Sequence, residues 1–184
     1  MTRKILGSVS VLCVLLILSL KIYAQEKFEK PILITSAGQS ADVKLVKLLA
    51  KRQNIEAETN LMAQENNLDG IKTLIIVPGF SSKGLGAAGI SQQDEMLRVK
   101  KIIAKAKDKN IPIIMIHVGG AARRGGQSDE FCQLIAEYSR YMIVVQQGNQ
   151  DGLFTQIANT KKIPIKEVDK ISDVGEPLSK LFSE

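Results

Sequence analysis

The sequence predicts a three-layer α/β sandwich, in which a five-stranded and mostly parallel sheet is covered by helices on both faces. Short apolar runs alternate with amphipathic stretches along most of the chain, as expected of successive β-α-β units. The runs are apolar throughout rather than at every second residue, which is typical of parallel strands buried on both faces. With 184 residues, the chain is long enough for one such domain with a sizeable core.

Five apolar runs supply the strands. In chain order they lie at residues 31–35, 55–59, 73–77, 111–116 and 141–145, with a further edge strand possible at 163–165. The second run is the weakest, and residues 73–77 (TLIIV) are the clearest. Because crossovers between parallel strands are right-handed, few topologies remain, and the flavodoxin-like order 2-1-3-4-5 is favoured.

Serine residues mark the expected starts of the three main helices, at Ser40, Ser91 and Ser128. Ser91 and Asp94 have the spacing of a capping box. In the long helix after Ser91, the lysines and Arg98 are expected mostly on the solvated face. Shorter elements are expected as a loop at residues 80–90, at most a short helix within 60–70, a short helix at 153–160 and a helical turn at 178–182.

The first 24 residues have the composition of an export signal. Arg3 and Lys4 precede 16 uncharged and mostly apolar residues, 5–20, and Ala24 offers the small residue that a signal peptidase requires. We therefore expect a signal peptide at 1–24, a short leader at 25–30 and a single domain at 31–184, located in the periplasm or secreted. The alternative is that the leader is retained as a membrane anchor. Cys13 follows the bulky Leu12, so lipidation is not expected.

Removing that segment reduces the formal charge from +6 to +3, because it holds three basic residues and no acidic one. No basic run is interleaved with aromatic residues, which argues against a nucleic-acid partner. Cys132 is then the only cysteine, so no internal disulfide forms and a buried core position is expected. One histidine and one cysteine are too few for a zinc site of the usual type, and neither a metal nor a cofactor is expected.

Glycine-rich and polar segments follow four of the predicted strands, at residues 35–40, 79–89, 117–129 and 146–152. Since ligands bind at the carboxyl ends of strands in open parallel sheets, these segments predict a site. Helix N-termini and three cations favour a small anionic ligand, a carboxylate or a phosphate. The candidate ligand-binding residues are Ser36, Gly38, Ser40, Ser82, Lys83, Gly84, Gly119, Arg123, Arg124, Asn149 and Asp151.

Catalysis is the first alternative to binding. His117 is the only histidine and ends a predicted strand, where it would act as a general base oriented by Asp129 or Asp151. Ser81 or Ser82 would be the nucleophile of a hydrolase or transferase, although residues 79–84 (GFSSKG) have one residue too many for the Gly-x-Ser-x-Gly pattern.

Two further alternatives concern other partners. Residues 35–40 (TSAGQS) keep part of the hydroxyl-rich phosphate turn of flavodoxins, but Phe80 is the only aromatic residue in the later loops, so flavin binding is a minor alternative. The loops could instead contact an envelope protein. A partner protein or a second copy of the chain could also complete the ligand site.

The loop sequences resemble those of a family of uncharacterised exported bacterial proteins, known as a domain of unknown function with a flavodoxin-like α/β domain. The likeness rests on residues 82–89 (SKGLGAAG), 117–120 (HVGG), 123–125 (RRG) with Ser128 and Asp129, and 148–152 (GNQDG), and it spans about residues 31–182. The resemblance implies a bacterial, extracytoplasmic protein, and it assigns neither an activity nor catalytic residues.

Overall fold

The computed structural model describes residues 27–183, which form an α/β sandwich around one parallel sheet. The strands are β1 (Ile32–Ala37), β2 (Glu58–Thr59), β3 (Thr73–Pro78), β4 (Ile113–His117), β5 (Tyr141–Val145) and β6 (Ile165–Val168). The helices are α1 (Asp42–Arg52), α2 (Ser82–Ala88), α3 (Gln92–Asp108), α4 (Gly126–Tyr138), α5 (Leu153–Lys161) and α6 (Gly175–Phe182). Short 3-10 turns lie at Glu65–Leu68, Gly120–Arg123, Gln146–Gly148 and Ile171–Val174.

The sheet has six strands in the order β2-β1-β3-β4-β5-β6, so the prediction of five strands was wrong while the order of the first five is confirmed. The sixth strand pairs with β5, with Val168 opposite Val145. It is an edge strand, in which Lys166 is exposed and only Val168 is buried, so it carries no continuous apolar run. β2 is also shorter than predicted. Ile55 instead lies in the turn that follows α1, where its N–H donates to the Ala50 carbonyl at 3.0 Å.

Residues 80–90 were expected to form a loop, and this was wrong because they contain α2. The Ser81 side chain caps this helix by accepting a hydrogen bond from the Gly84 N–H. Gly89 ends the helix in the left-handed conformation, with φ of 67°. With two glycines in seven residues and Leu85 as its one buried side chain, α2 has the composition of a loop but the end signals of a helix.

The other helix starts agree with the prediction or differ from it by up to three residues. The capping box of Ser91 and Asp94 is confirmed. Ala41 rather than Ser40 is the N-cap of α1, and Ser40 Oγ accepts the Asp42 N–H at 3.0 Å. α4 begins at Gly126, so Ser128 lies within its first turn, where its hydroxyl accepts the Phe80 N–H. The expected turn at 178–182 is part of α6.

Two apolar clusters cover the two faces of the sheet. One packs α3, α4 and α5 against residues such as Leu74, Met115 and Val144. The other packs α1 and α6 against residues such as Ile75, Ile114 and Ile143. Cys132 is a free and fully buried member of the first cluster, as expected, and burial raises the pKa of its thiol to about 12. Residues 27–183 therefore contain enough core for the domain to fold by itself.

The predicted signal peptide, including Cys13 and the cleavage position at Ala24, lies outside the described residues. Within residues 27–183, no helix is both long enough and apolar enough to cross a membrane.

Candidate binding crevice at the carboxyl edge of the sheet

The loops after β1 and β3 pack directly against each other, at the point where the strand order reverses. The Gly79 N–H donates to the Ala37 carbonyl, and the Ser81 N–H donates to the Gly38 carbonyl, both at 2.8 Å. Gly38 has φ of 97°, and a Cβ there would lie 2.6 Å from the Gly79 carbonyl oxygen. Only glycine fits this position, because both its backbone conformation and its surroundings exclude a side chain.

Arg123 lies across the resulting crevice, which we define by Ser40, Asp42, Gly79, Gly119 and Arg123. Arg123 Nη1 donates to the Phe80 carbonyl at 3.1 Å, and its Nε lies 3.5 Å from Asp42 Oδ2. That ion pair is not a hydrogen bond, and Asp42 Oδ2 is buried without a hydrogen-bond partner. A Cβ on Gly119 would lie 2.1 Å from Arg123 Cγ, so the glycine makes room for the arginine.

Arg124 has a different environment from its neighbour. It forms ion pairs with Asp129 at 2.6 Å and Asp151 at 2.7 Å, donates to the Gly148 carbonyl, and lies 5.0 Å over the Phe154 ring. Burial alone would lower the pKa of Arg124, but hydrogen bonds to Asp151 and Asp129 outweigh it and raise that pKa. The same hydrogen bond lowers the pKa of Asp151. Arg124 therefore joins the loops after β4 and β5.

His117 is fully buried at the end of β4. Its Nε2 lies 3.2 Å from the Arg123 carbonyl, which can only accept, so the proton is on Nε2. Nδ1 has no hydrogen-bond partner, and a Cβ on Gly148 would lie 2.6 Å from it. Burial lowers the pKa of His117. Neither Asp129 nor Asp151 hydrogen-bonds the ring, since both pair with Arg124.

The His117→Gln variant is expected to lose less stability than the wild type as the pH falls below about 6.5. Because the pKa of His117 is lowered from 6.5 in the folded chain, the unfolded chain binds the proton first as the pH falls. The wild type should therefore lose stability below about pH 6.5, by at most about 1.4 kcal/mol per pH unit for one proton. Urea unfolding at several pH values measures this. A parallel decline in both proteins would contradict it.

A buried ion pair between Glu95 and Arg98, both in α3, stabilises the loop that follows β1. Arg98 Nε donates to Glu95 Oε2 at 2.7 Å, and Glu95 Oε1 accepts the Gly38 N–H at 2.9 Å and the Gln39 amide at 3.0 Å. Arg98 also donates to the Ser36 and Ala63 carbonyls, at 2.6 and 2.7 Å. The prediction that Arg98 lies on a solvated face was wrong, because these carbonyls and Glu95 satisfy its charge inside the protein.

The sequence contains one signal for this buried pair, in the apolar periodicity of α3. Glu95 precedes Val99, Ile102 and Ala106 at helical spacing, so it continues the buried stripe of α3. Asp42, which reasoning from the sequence also did not select, follows Ser40 by two residues and gives no comparable signal.

The remaining candidate ligand-binding residues lie in different environments. Ser40, Gly119 and Arg123 come together at the crevice, and Gly38 supports it. Asn149 is occupied structurally, since it donates to Thr155 and Glu167 and accepts the Phe154 N–H. Ser36 is buried in β1 without a partner for its hydroxyl.

Three further candidate ligand-binding residues lie on α2, namely Ser82, Lys83 and Gly84. Ser82 and Lys83 are exposed in its first turn, and Gly84 packs against the Gln39 carbonyl. Ser81 accepts the Gly84 N–H, and within residues 27–183 neither it nor Ser82 hydrogen-bonds His117. In the same residues, no group of three or more His, Cys, Asp and Glu is placed to hold a metal ion.

Two solved structures are similar to this chain at low sequence identity. A GDSL-like lipase from Bacteroides thetaiotaomicron is 10% identical, over 74% of this chain and 66% of its own, with a TM-score of 0.34. AlinE4, an SGNH-hydrolase family esterase, is 14% identical, over 85% of this chain and 84% of its own, with a TM-score of 0.31. The chain thus spans just under two thirds of the length of the lipase.

Sequence similarity covers nearly all of the described domain. The family model described as "Domain of unknown function (DUF6305)" matches residues 29–182. This match confirms the resemblance to an uncharacterised family that the loop sequences indicated. The matched range is almost the predicted one, about residues 31–182. No curated protein matches the chain. The chain therefore belongs to the family of the domain of unknown function DUF6305.

Proposed function

We propose that this domain binds a small anion, a carboxylate or a phosphate, in the crevice beside Arg123. The observation that carries the proposal is the guanidinium of Arg123, which lies at the carboxyl ends of the strands with most of its donors unused. Among the described residues it makes one hydrogen bond, from Nη1 to the Phe80 carbonyl. Arginine has five N–H donors in a planar fork that matches the oxygens of a carboxylate or phosphate.

Arg124 is less available to bind an anion than Arg123. Arg124 is hydrogen-bonded to both Asp129 and Asp151, and its side chain is only 10% exposed. Arg123 faces one carboxylate at 3.5 Å, and its side chain is 32% exposed. Because two acidic residues already neutralise Arg124, a ligand would gain little from it. The anion therefore binds Arg123, while Arg124 keeps the surrounding loops in place.

Asp42 lowers the affinity of this site for an anion. Its carboxylate lies beside the Arg123 guanidinium without a hydrogen bond, so it repels an incoming anion and competes for the same cation. Ser40 is fully buried, and its hydroxyl oxygen accepts the Asp42 N–H, so it fixes the start of α1 beside the guanidinium. A ligand of modest affinity that exchanges readily fits this arrangement better than a permanently bound group.

The Arg123→Gln variant is expected to bind small anions about ten- to a hundredfold more weakly, because charge-assisted hydrogen bonds are lost. The Asp42→Asn variant should bind the same anion several-fold more tightly, because a competing negative charge is removed. Calorimetric titration with phosphate, acetate, succinate and citrate measures both effects.

Lys83→Gln provides the matched control, since it removes one exposed positive charge from the nearby helix α2. It should leave the affinity within about twofold of the wild type, as expected for a screened surface charge. Equal losses in Lys83→Gln and Arg123→Gln would mean that only general charge attracts the anion. The absence of binding to all four anions in the wild type would exclude the proposal.

We also propose that the domain acts outside the cytoplasm after its leader is removed near Ala24. The charged start, the apolar run at 5–20 and the small residue at the exit support this. The mass of the exported chain reports the cleavage position, and a chain that retains residues 1–24 would instead be an anchored protein.

A further inference from the structure

Two grooves lie at the opposite edge of the sheet, around the amino ends of β3, β4 and β5. The larger has a volume of about 1120 Å³ and lies below the ends of α3 and α4. The smaller, of about 500 Å³, is lined by residues that precede β1 and β3. Asn110, Ile111 and Pro112 line both grooves, which makes them one continuous surface. We call the residues that line the two grooves the amino-edge surface.

This surface carries the positive charge of the domain. Six lysines and Arg140 line it, against Glu29 and Glu137. From Gln25 onward the sequence holds 22 basic and 19 acidic side chains, a net charge of +3. The amino-edge surface, with an excess of five positive charges, is therefore more positive than the chain as a whole. Asp69, which pairs with Lys109 just outside the grooves, offsets one of these charges.

Helix dipoles account for only part of this accumulation. Lys107 and Lys161 lie in the last turns of α3 and α5, where a positive charge favours the helix. Lys27 and Lys72 precede strands and lie in no helix. Tyr138 is 47% exposed in the larger groove. Tyrosine is enriched in the parts of membrane proteins that lie at the level of the lipid headgroups.

The chain also enters the domain at this surface. Phe28 packs against Tyr141 and Phe182, with ring centroids 6.5 and 6.2 Å away, and its N–H donates to the Leu181 carbonyl. Lys27 Nζ donates to the Ser183 carbonyl at 2.6 Å. The sequence upstream of this point is the 26-residue segment that contains the uncharged run at 5–20. The amino-edge surface therefore lies where the leader is joined to the domain until the leader is removed.

We propose that the amino-edge surface docks on an anionic lipid bilayer, through lysines that contact lipid phosphates. The charge of the surface and the point where the leader joins the domain both indicate this partner. The candidate anion site lies at the other ends of the same strands, so it faces away from the bilayer and stays open to solution. This proposal does not depend on the one for the anion site.

Co-sedimentation with vesicles tests the proposal, with the chain that begins at Gln25 so that the leader cannot insert. Vesicles of phosphatidylcholine with about 30% phosphatidylglycerol should bind the protein at about 0.1 M salt and release it at about 0.5 M, because salt screens the attraction. Vesicles of phosphatidylcholine alone should not bind it. The triple variant Lys107→Glu, Lys161→Glu, Lys162→Glu should bind at least about tenfold more weakly.

The triple variant Lys44→Glu, Lys47→Glu, Lys51→Glu is the matched control, because it makes the same charge change at exposed positions of α1. It should lose much less binding, and circular dichroism melting shows whether both variants are folded. Equal losses in the two triple variants would overturn the proposal. So would binding to neutral vesicles, no binding to anionic vesicles, or capture by an acidic polymer without any binding to vesicles.

Discussion

Replacing Arg98 with alanine is expected to lower the free energy of unfolding by about 3–5 kcal/mol, because it leaves Glu95 as an unpaired buried charge. Glu95 is fully buried, and Arg98 is its only cationic partner among the described residues. The substitution also removes the donor to the Ser36 and Ala63 carbonyls. Urea unfolding measures the change.

Two controls isolate the ion pair. Lys101→Ala, at an exposed position of the same helix, should change stability by no more than about 0.5 kcal/mol. The double variant Glu95→Leu, Arg98→Met should be more stable than Arg98→Ala, because no charge is then buried alone. A loss below about 1 kcal/mol in Arg98→Ala would mean that water reaches Glu95 and that the pair does not hold the β1 loop.

The Gly84→Ala variant is expected to lose about 2–3 kcal/mol of stability, in the upper range for overpacked sites. A Cβ on Gly84 would lie 2.0 Å from the Gln39 carbonyl oxygen. Because this atom belongs to the backbone, no side-chain rotation relieves the contact, and α2 must move away from the β1 loop. Thermal and urea unfolding measure the loss, and anion titration should show weaker binding as the crevice loosens.

Gly86→Ala gives the opposite result two residues further along the same helix. Nothing lies within 4 Å of its Cβ position, and the residue is exposed. Alanine in a helix is favoured over glycine by about 0.5–1 kcal/mol, so this variant should be slightly more stable than the wild type. If both variants became more stable than the wild type, helix propensity rather than the contact with Gln39 would dominate at Gly84.

The adjacent arginines show why the candidate site could be predicted only in part. The sequence placed Arg123 and Arg124 in the loop after β4, and both were selected as ligand-binding residues. The structure pairs Arg124 with Asp129 and Asp151, and it turns Arg123 toward Asp42, from the start of α1. Asp42 in α1 and Asp151 in the loop after β5 are both remote in sequence from the two arginines, so no local pattern distinguishes a structural arginine from an available one.

Three features could be predicted from the sequence: the α/β class, the positions of four strands to within a few residues, and the edge of the sheet where the polar loops meet. These features follow from local periodicity, from helix-end signals such as Ser91 with Asp94, and from the rule that parallel strands bring their carboxyl ends together. Only the tertiary structure shows that Arg98 is buried and that Arg123 rather than Arg124 covers the crevice. Both depend on partners far along the chain, which approach only when the complete fold packs. Residues 82–88 have the end signals of a helix, but it is the contact of Gly84 with the Gln39 carbonyl that fixes the position of this helix.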